Sequence, residues 1–186
     1  MTNKNIALGR IGVVTVLFLL ALAPPSRAQV VDQIFRTRLG GALAFSAPLT
    51  GIGAEKDNGS NAEIQIGVGD DPLIVGLVIG YTTFGGIPLQ DEIAKASSFE
   101  LRTDWNPSAP TEFGPTIQIG VALYILQRPD VENDLRFGIR TGLGYRWAPW
   151  WHTQFALVGA YNFVPDVHAH TRQWATLGLE VMQWSD

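Results

Sequence analysis

The chain has 186 residues, which is enough for one domain with a substantial core and too few for two comfortable ones. Its formal net charge is −4, which argues against nucleic acid as a partner. It contains no cysteine, which excludes disulfide bonds, so stability must come from packing and strand pairing.

The first 28 residues have the layout of a signal peptide. Lys4 and Arg10 make a basic start, and the uncharged apolar run Ile11–Ala23 leads into a segment of small residues. The run of about 13 residues is shorter than the roughly 20 that a membrane-spanning helix needs. We predict that the mature domain covers residues 29–186, with 10 of the 13 basic residues, all 17 acidic residues and a formal charge of −7.

Eight later segments alternate between apolar and other side chains, which is the two-residue period of a β-strand. The predicted strands are Phe35–Ser46, Ala62–Gly69, Leu73–Phe84, Ser98–Trp105, Thr116–Gln127, Leu135–Trp147, His152–Phe163 and Thr171–Trp184. The predicted fold class is all-β, an eight-stranded antiparallel up-and-down transmembrane β-barrel that follows a cleaved signal peptide. Ten strands remain an alternative.

The alternation is clearest in the sixth segment, where one parity is apolar and the other holds only glycine and arginine. The apolar parity is Leu135, Phe137, Ile139, Thr141, Leu143, Tyr145 and Trp147. Such a face packs inward in a soluble lipocalin-like barrel and faces lipid in an outer-membrane barrel. The only lysines after the signal, Lys56 and Lys95, fall in predicted loops. Because the polar parities instead hold Gly, Ala, Gln, Glu, Arg and Asp, which suit a crowded lumen, we favour lipid outside.

Aromatic residues at strand ends are typical of the interface between membrane and water. With both mature termini in the periplasm, five tryptophans fall at the periplasmic side and Trp174 falls at the outer side, beside Phe45, Phe84 and Phe163. The predicted interface set is Trp105, Trp147, Trp150, Trp151, Trp174 and Trp184. Aromatic residues at the rim of a soluble core are the alternative.

The run Gly142-Leu143-Gly144-Tyr145-Arg146-Trp147, followed by a proline-containing turn, resembles the small OmpA-like or opacity-type outer-membrane barrel families. The resemblance covers the whole mature chain and implies an outer-membrane location, with outer-membrane lipid and the barrel-insertion machinery as partners. Members commonly end on an aromatic residue that assists insertion. Here Ser185 and Asp186 follow the last aromatic residue, Trp184. In a regular strand Trp184 would also lie on the opposite face from Leu179 and Val181, unless a bulge intervenes.

Ten charged residues share the predicted inward parity. They are Arg36, Arg38, Glu63, Glu100, Arg102, Asp104, Arg136, Arg140, Arg146 and Glu180. We favour a paired network that plugs a lumen too narrow for free water flow. The alternative is a small conduit, which six arginines against four acids would bias toward anions.

The sequence offers little that could carry chemistry. His168 and His170 beside Asp166 suggest a divalent metal, but no third ligand is evident, so we predict no metal and no cofactor. No nucleophile elbow or metalloprotease motif occurs, so we predict no catalytic site. The predicted function is a non-enzymatic envelope role, structural or through an unknown loop ligand. The alternatives are a soluble periplasmic barrel that binds an apolar ligand, an anion conduit and a lipid-modifying enzyme.

Overall fold

A computed structural model describes residues 36–50, 58–70, 72–85, 93–108, 113–128, 132–150, 152–165 and 171–184. These ranges contain eight β-strands and no helix. No helix long and apolar enough to cross a membrane occurs in them. The predicted signal peptide, residues 1–28, lies outside the described residues.

The eight strands close into one antiparallel barrel in which each strand pairs with its sequence neighbours and β1 pairs with β8. The strands are β1 Arg36–Thr50, β2 Gly59–Asp70, β3 Leu73–Thr83, β4 Lys95–Trp105, β5 Phe113–Gln127, β6 Asp134–Trp150, β7 Thr153–Val164 and β8 Arg172–Trp184. The prediction of eight strands is confirmed. Several strands extend by up to four residues beyond the predicted ends, since the hydrogen-bonded ladder continues past the clearest alternation.

The outer surface of the barrel is apolar. The alternation predicted for β6 is confirmed, with Phe137 71 % exposed and Leu143 69 % exposed, while Arg140 and Arg146 point inward and are buried. A soluble barrel requires these arginines to be exposed, and the structure contradicts that alternative. The barrel is therefore inverted relative to a soluble protein, with charge inside and hydrocarbon outside.

The two ends of the barrel differ, and we name them here. The terminus end carries the start of β1, the end of β8 and the connections β2–β3, β4–β5 and β6–β7; the loop end carries the other four connections. The β2–β3 turn depends on Gly69, whose φ of +145° lies in a region that favours glycine. A Cβ at Gly69 would also lie 2.6 Å from the carbonyl oxygen of Leu73.

Candidate functional site

The middle of the lumen is filled by a group of buried charged side chains, here called the central cluster: Glu63, Glu100, Arg102, Arg140 and Glu180. Arg102 is its hub. Its Nε donates to Glu100 Oε1 at 2.8 Å, its Nη2 donates to Glu63 Oε2 at 2.7 Å, and its Nη1 donates to Glu180 Oε1 at 3.3 Å. One guanidinium thus joins carboxylates from β2, β4 and β8 across the full width of the barrel.

Further donors complete the central cluster. Arg140 of β6 pairs with Glu63 and also lies 3.8 Å from Glu100 Oε2. Gln118 of β5 donates from Nε2 to both carboxylate oxygens of Glu180, at 3.1 and 2.9 Å. Each of the three carboxylates therefore contacts at least one of the two guanidinium groups, and such pairing is the condition under which buried charge is tolerated.

A second ion pair closes the lumen toward the terminus end. Arg38 pairs with Asp104, and both side chains are buried. The guanidinium carbon of Arg38 lies 5.6 Å from the ring centroid of Trp184, a cation–π distance. Trp184 therefore points into the barrel and covers the pair.

The loop end of the lumen is apolar instead. Eight buried residues form a cluster that we call the apolar plug: Phe84, Ile93, Ala96, Ala122, Tyr124, Leu126, Val164 and Trp174. The Trp174 ring meets the rings of Phe84 and Tyr124 edge-on, with centroids 5.8 and 5.2 Å apart. The Tyr124 hydroxyl donates to Asn162 Oδ1 at 3.0 Å. The lumen is thus closed by packed side chains at this level as well.

Beyond the plug, three arginines surround one carboxylate at the rim. We call this group the mouth cluster: Arg128, Asp134, Arg136 and Arg172. Arg128 Nη2 and Arg172 Nη1 donate to Asp134 Oδ2 at 3.2 and 3.1 Å. Arg136 Nη2 lies 3.0 Å from Asp134 Oδ1. The group ties the end of β5 to the starts of β6 and β8.

The structure places eight of the ten predicted lumen charges inside the barrel. They are Arg38, Glu63, Glu100, Arg102, Asp104, Arg140, Arg146 and Glu180. The prediction was wrong for Arg36, which is exposed because it is the first residue of β1, and Arg136 belongs to the mouth cluster. In the described lumen below that cluster, four buried arginines therefore face four buried carboxylates. The alternative of an anion-selective conduit depended on an excess of arginines over carboxylates, and this part of the lumen has no such excess.

The tryptophans divide between the two faces. Trp105 is exposed on the outer surface, and Trp147 stacks on Phe155 with ring centroids 5.7 Å apart. Trp174 is 1 % exposed in the apolar plug, so its interface assignment was wrong. Trp184 also points inward, because the β1–β8 register runs without a bulge from Arg38 to Pro48. Trp151 and the side chain of Trp150 lie outside the described residues.

Several residues of the lumen were missed from the sequence. Gln118 and Asn162 have the inward parity but carry no charge, and Arg128 and Arg172 lie at strand ends, where the alternation is weak. The local signal for the mouth cluster was Asp134 between two arginines around a turn.

The residues considered for metal binding, Asp166, His168 and His170, lie outside the described ranges. Within those ranges no group of three metal-ligating side chains occurs.

Gly120 provides the space that the Glu100 carboxylate occupies. A Cβ at Gly120 would lie 2.7 Å from Glu100 Cδ and 2.8 Å from its Cγ, so alanine there must push Glu100 away from Arg102. We expect Gly120→Ala to lower the free energy of unfolding by about 1–3 kcal/mol. Urea unfolding followed by tryptophan fluorescence measures this.

Gly159→Ala is the matched control for Gly120→Ala, because the nearest atoms to its Cβ would be 3.9 Å away. We expect it to change stability by no more than about 0.5 kcal/mol. Equal losses in the two variants would mean that Glu100 is not held in place by its bonds to Arg102.

Comparison with solved structures identifies the fold. The chain is similar to Neisserial surface protein A, with a TM-score of 0.63 and 13 % sequence identity over 81 % of this chain and 97 % of that one. It is also similar to the N-terminal β-barrel domain of Pseudomonas aeruginosa OprF, with a TM-score of 0.55 and 12 % identity over 82 % and 98 % of the two chains. No protein-family profile and no curated protein sequence matches. The predicted resemblance to small outer-membrane barrels is confirmed at the level of the fold.

Proposed function

We propose that the chain is a non-enzymatic, non-conducting barrel of the bacterial outer membrane, which stabilises the envelope and presents its loop end to surface partners. The observation that carries the proposal is the closure of the lumen at three levels. The Arg38–Asp104 pair, the central cluster and the apolar plug follow one another from the terminus end to the loop end. A closed lumen supports a structural or interaction role rather than transport.

The apolar outer surface supports outer-membrane lipid as the surrounding medium. Leucine, isoleucine, valine and phenylalanine cover the outside of the strands, and the arginines among the described residues lie in the lumen, at the rim or at the exposed start of β1. We propose that both mature termini are periplasmic. We also propose that the barrel-insertion machinery recognises the last strand, β8, whose outward side chains include Leu177 and Leu179. The proposal includes no enzymatic activity, no cofactor and no nucleic-acid partner.

A charge on the outer surface tests whether that surface meets lipid. Leu143 lies in the middle of β6 and is 69 % exposed, so Leu143→Arg should cost about 2–4 kcal/mol of unfolding free energy in phospholipid vesicles. Urea unfolding of the refolded barrel measures the loss.

The control for Leu143→Arg lies on the same face of the same strand. Leu135 is the second residue of β6, at the rim, so Leu135→Arg should cost about 0–1 kcal/mol because arginine there reaches the interface. Unchanged stability in both variants would support a barrel surrounded by water.

The proposed function is tested by expressing the full chain, fractionating the membranes and comparing heated with unheated gel mobility of the extracted protein. We expect outer-membrane recovery and a heat-dependent mobility shift. The same protein in planar lipid bilayers should show no channel steps, because the lumen is filled by packed side chains. Recovery in the soluble fraction, or steady ion-selective conductance, would contradict the proposal.

A further inference from the structure

The mouth cluster groups three arginines at the described loop end, where Lys95 is also exposed. The side chains of Arg128 and Arg136 are 20 % and 31 % exposed, and that of Asp134 is 17 % exposed, so the group is reached from water. It lies directly beyond the apolar plug, since Asp134 is paired with Leu126 and Arg172 with Val164. The plug forms an apolar floor under a ring of guanidinium groups.

The hydrogen-bonding capacity of these groups exceeds what Asp134 accepts. Each guanidinium has about five N–H donors, while a carboxylate offers roughly four acceptor positions. Arg128 Nε is buried and has no hydrogen-bond partner in the described structure, although a buried donor normally has one. The site therefore holds an unused donor, Arg128 Nε, beside a carboxylate that already accepts from Arg128 Nη2 and Arg172 and forms an ion pair with Arg136.

We propose that the mouth cluster binds a phosphate monoester, with Asp134 occupying part of the anion position when no ligand is bound. Guanidinium groups match the oxygens of a tetrahedral phosphate through paired, charge-assisted hydrogen bonds. Three such groups, approaching from the end of β5 and the starts of β6 and β8, suit an anion that presents three oxygens. The ligand is a phosphorylated sugar or a phosphorylated lipid headgroup, since both carry this chemistry.

The position of the mouth cluster allows either a soluble phosphorylated sugar or a phosphorylated lipid headgroup to reach it. Leu135 and Phe137 flank Arg136 on β6 and are exposed on the outer surface, so the apolar belt extends to the level of the cluster. Headgroup phosphates lie at the edge of such a belt. Whether the phosphate belongs to a lipid headgroup or to a soluble sugar depends on the outer-membrane orientation proposed above. Binding of a phosphate to the mouth cluster does not depend on that orientation.

Calorimetric titration of inorganic pyrophosphate into the folded barrel, in micelles of an uncharged detergent, tests the site. We expect binding that weakens with added salt and that weakens about tenfold in Arg128→Gln, which removes a charge-assisted donor. Arg36→Gln removes an exposed arginine at the opposite end and should leave the affinity unchanged. No binding by the wild-type barrel, or equal losses in the two variants, overturns the proposal.

Asp134→Asn separates binding from a purely structural role. A carboxylate that occupies part of the anion position competes with the ligand, so its neutralisation should strengthen pyrophosphate binding several-fold. If the arginines serve only to hold Asp134, the variant leaves binding absent or unchanged and the proposal fails. If Asp134→Asn does not fold, Arg128→Gln, at a side chain that is 20 % exposed, provides the test.

Lipid nanodiscs distinguish the two sources of phosphate. Phosphatidate carries a phosphate monoester and phosphatidylcholine carries a diester. Weaker pyrophosphate binding in phosphatidate nanodiscs than in phosphatidylcholine nanodiscs supports a lipid headgroup as the ligand, and equal binding in both supports a soluble phosphorylated sugar. Loss of binding in both nanodiscs, with the barrel folded, overturns the proposal. These outcomes are independent of membrane fractionation and conductance, so the proposed function and this inference can fail separately.

Discussion

Arg102→Met is expected to lower the free energy of unfolding by about 3–5 kcal/mol, because it removes the hub of the central cluster and leaves buried carboxylates without their main cation. Glu100 and Glu180 lose the most, since Glu63 keeps its bond to Arg140. Equilibrium unfolding in urea, in phospholipid vesicles, measures the loss. A higher proportion of unfolded protein on an unheated gel should accompany it.

Two further variants identify the cause of the Arg102 effect. Arg36→Met removes an exposed arginine and should change stability by no more than about 0.5 kcal/mol. Adding Glu180→Met to Arg102→Met should restore part of the loss, because one uncompensated carboxylate is removed with its partner. Additive losses in the double variant would show that the two side chains do not depend on each other.

Trp174→Ala is expected to cost about 3–5 kcal/mol, because it removes the largest side chain of the apolar plug and leaves a cavity between Phe84 and Tyr124. Unfolding in urea measures the cost. We also expect occasional, weakly selective conductance in planar bilayers, since the lumen is then held closed only by its ion pairs.

The matched control for Trp174→Ala is Phe137→Ala on the outer surface. Phe137 is 71 % exposed, so its removal creates no internal cavity and should cost far less than the loss of Trp174. Similar costs for the two substitutions would mean that the interior at the loop end is loosely packed. Trp174→Phe should recover much of the stability, because an aromatic ring still fills the plug.

The faces of the strands were predictable because a strand backbone sends successive side chains to opposite sides. In β8 the same rule places Trp174 on the lumen side of the strand, together with Glu180. Trp174 was wrongly assigned to the membrane interface because the general preference of tryptophan for that interface was given more weight than its position in the alternation. In β3 both parities are apolar, so nothing in the sequence distinguished inward Ile74 and Val78 from their outward neighbours.

Contacts across the lumen were not predictable in this way. Arg102 meets Glu63, which is 39 residues away, and Glu180, which is 78 residues away. Which inward residues share a level depends on the tilt and stagger of the strands, and the sequence does not state these quantities. The same uncertainty in depth explains why Arg36 has the inward parity and is nevertheless exposed.

The central cluster draws its members from β2, β4, β6 and β8, so it cannot be complete before the last strand has joined the first. Until that moment Arg102 and the carboxylates that it binds stay hydrated, because burying an unpaired charge in an apolar environment costs too much free energy. Dehydration of the lumen and joining of β8 to β1 are therefore one event. An incomplete sheet gains little from partial charge pairing, and assembly is driven toward all-or-none completion, with few stable half-formed species in which the barrel could stall.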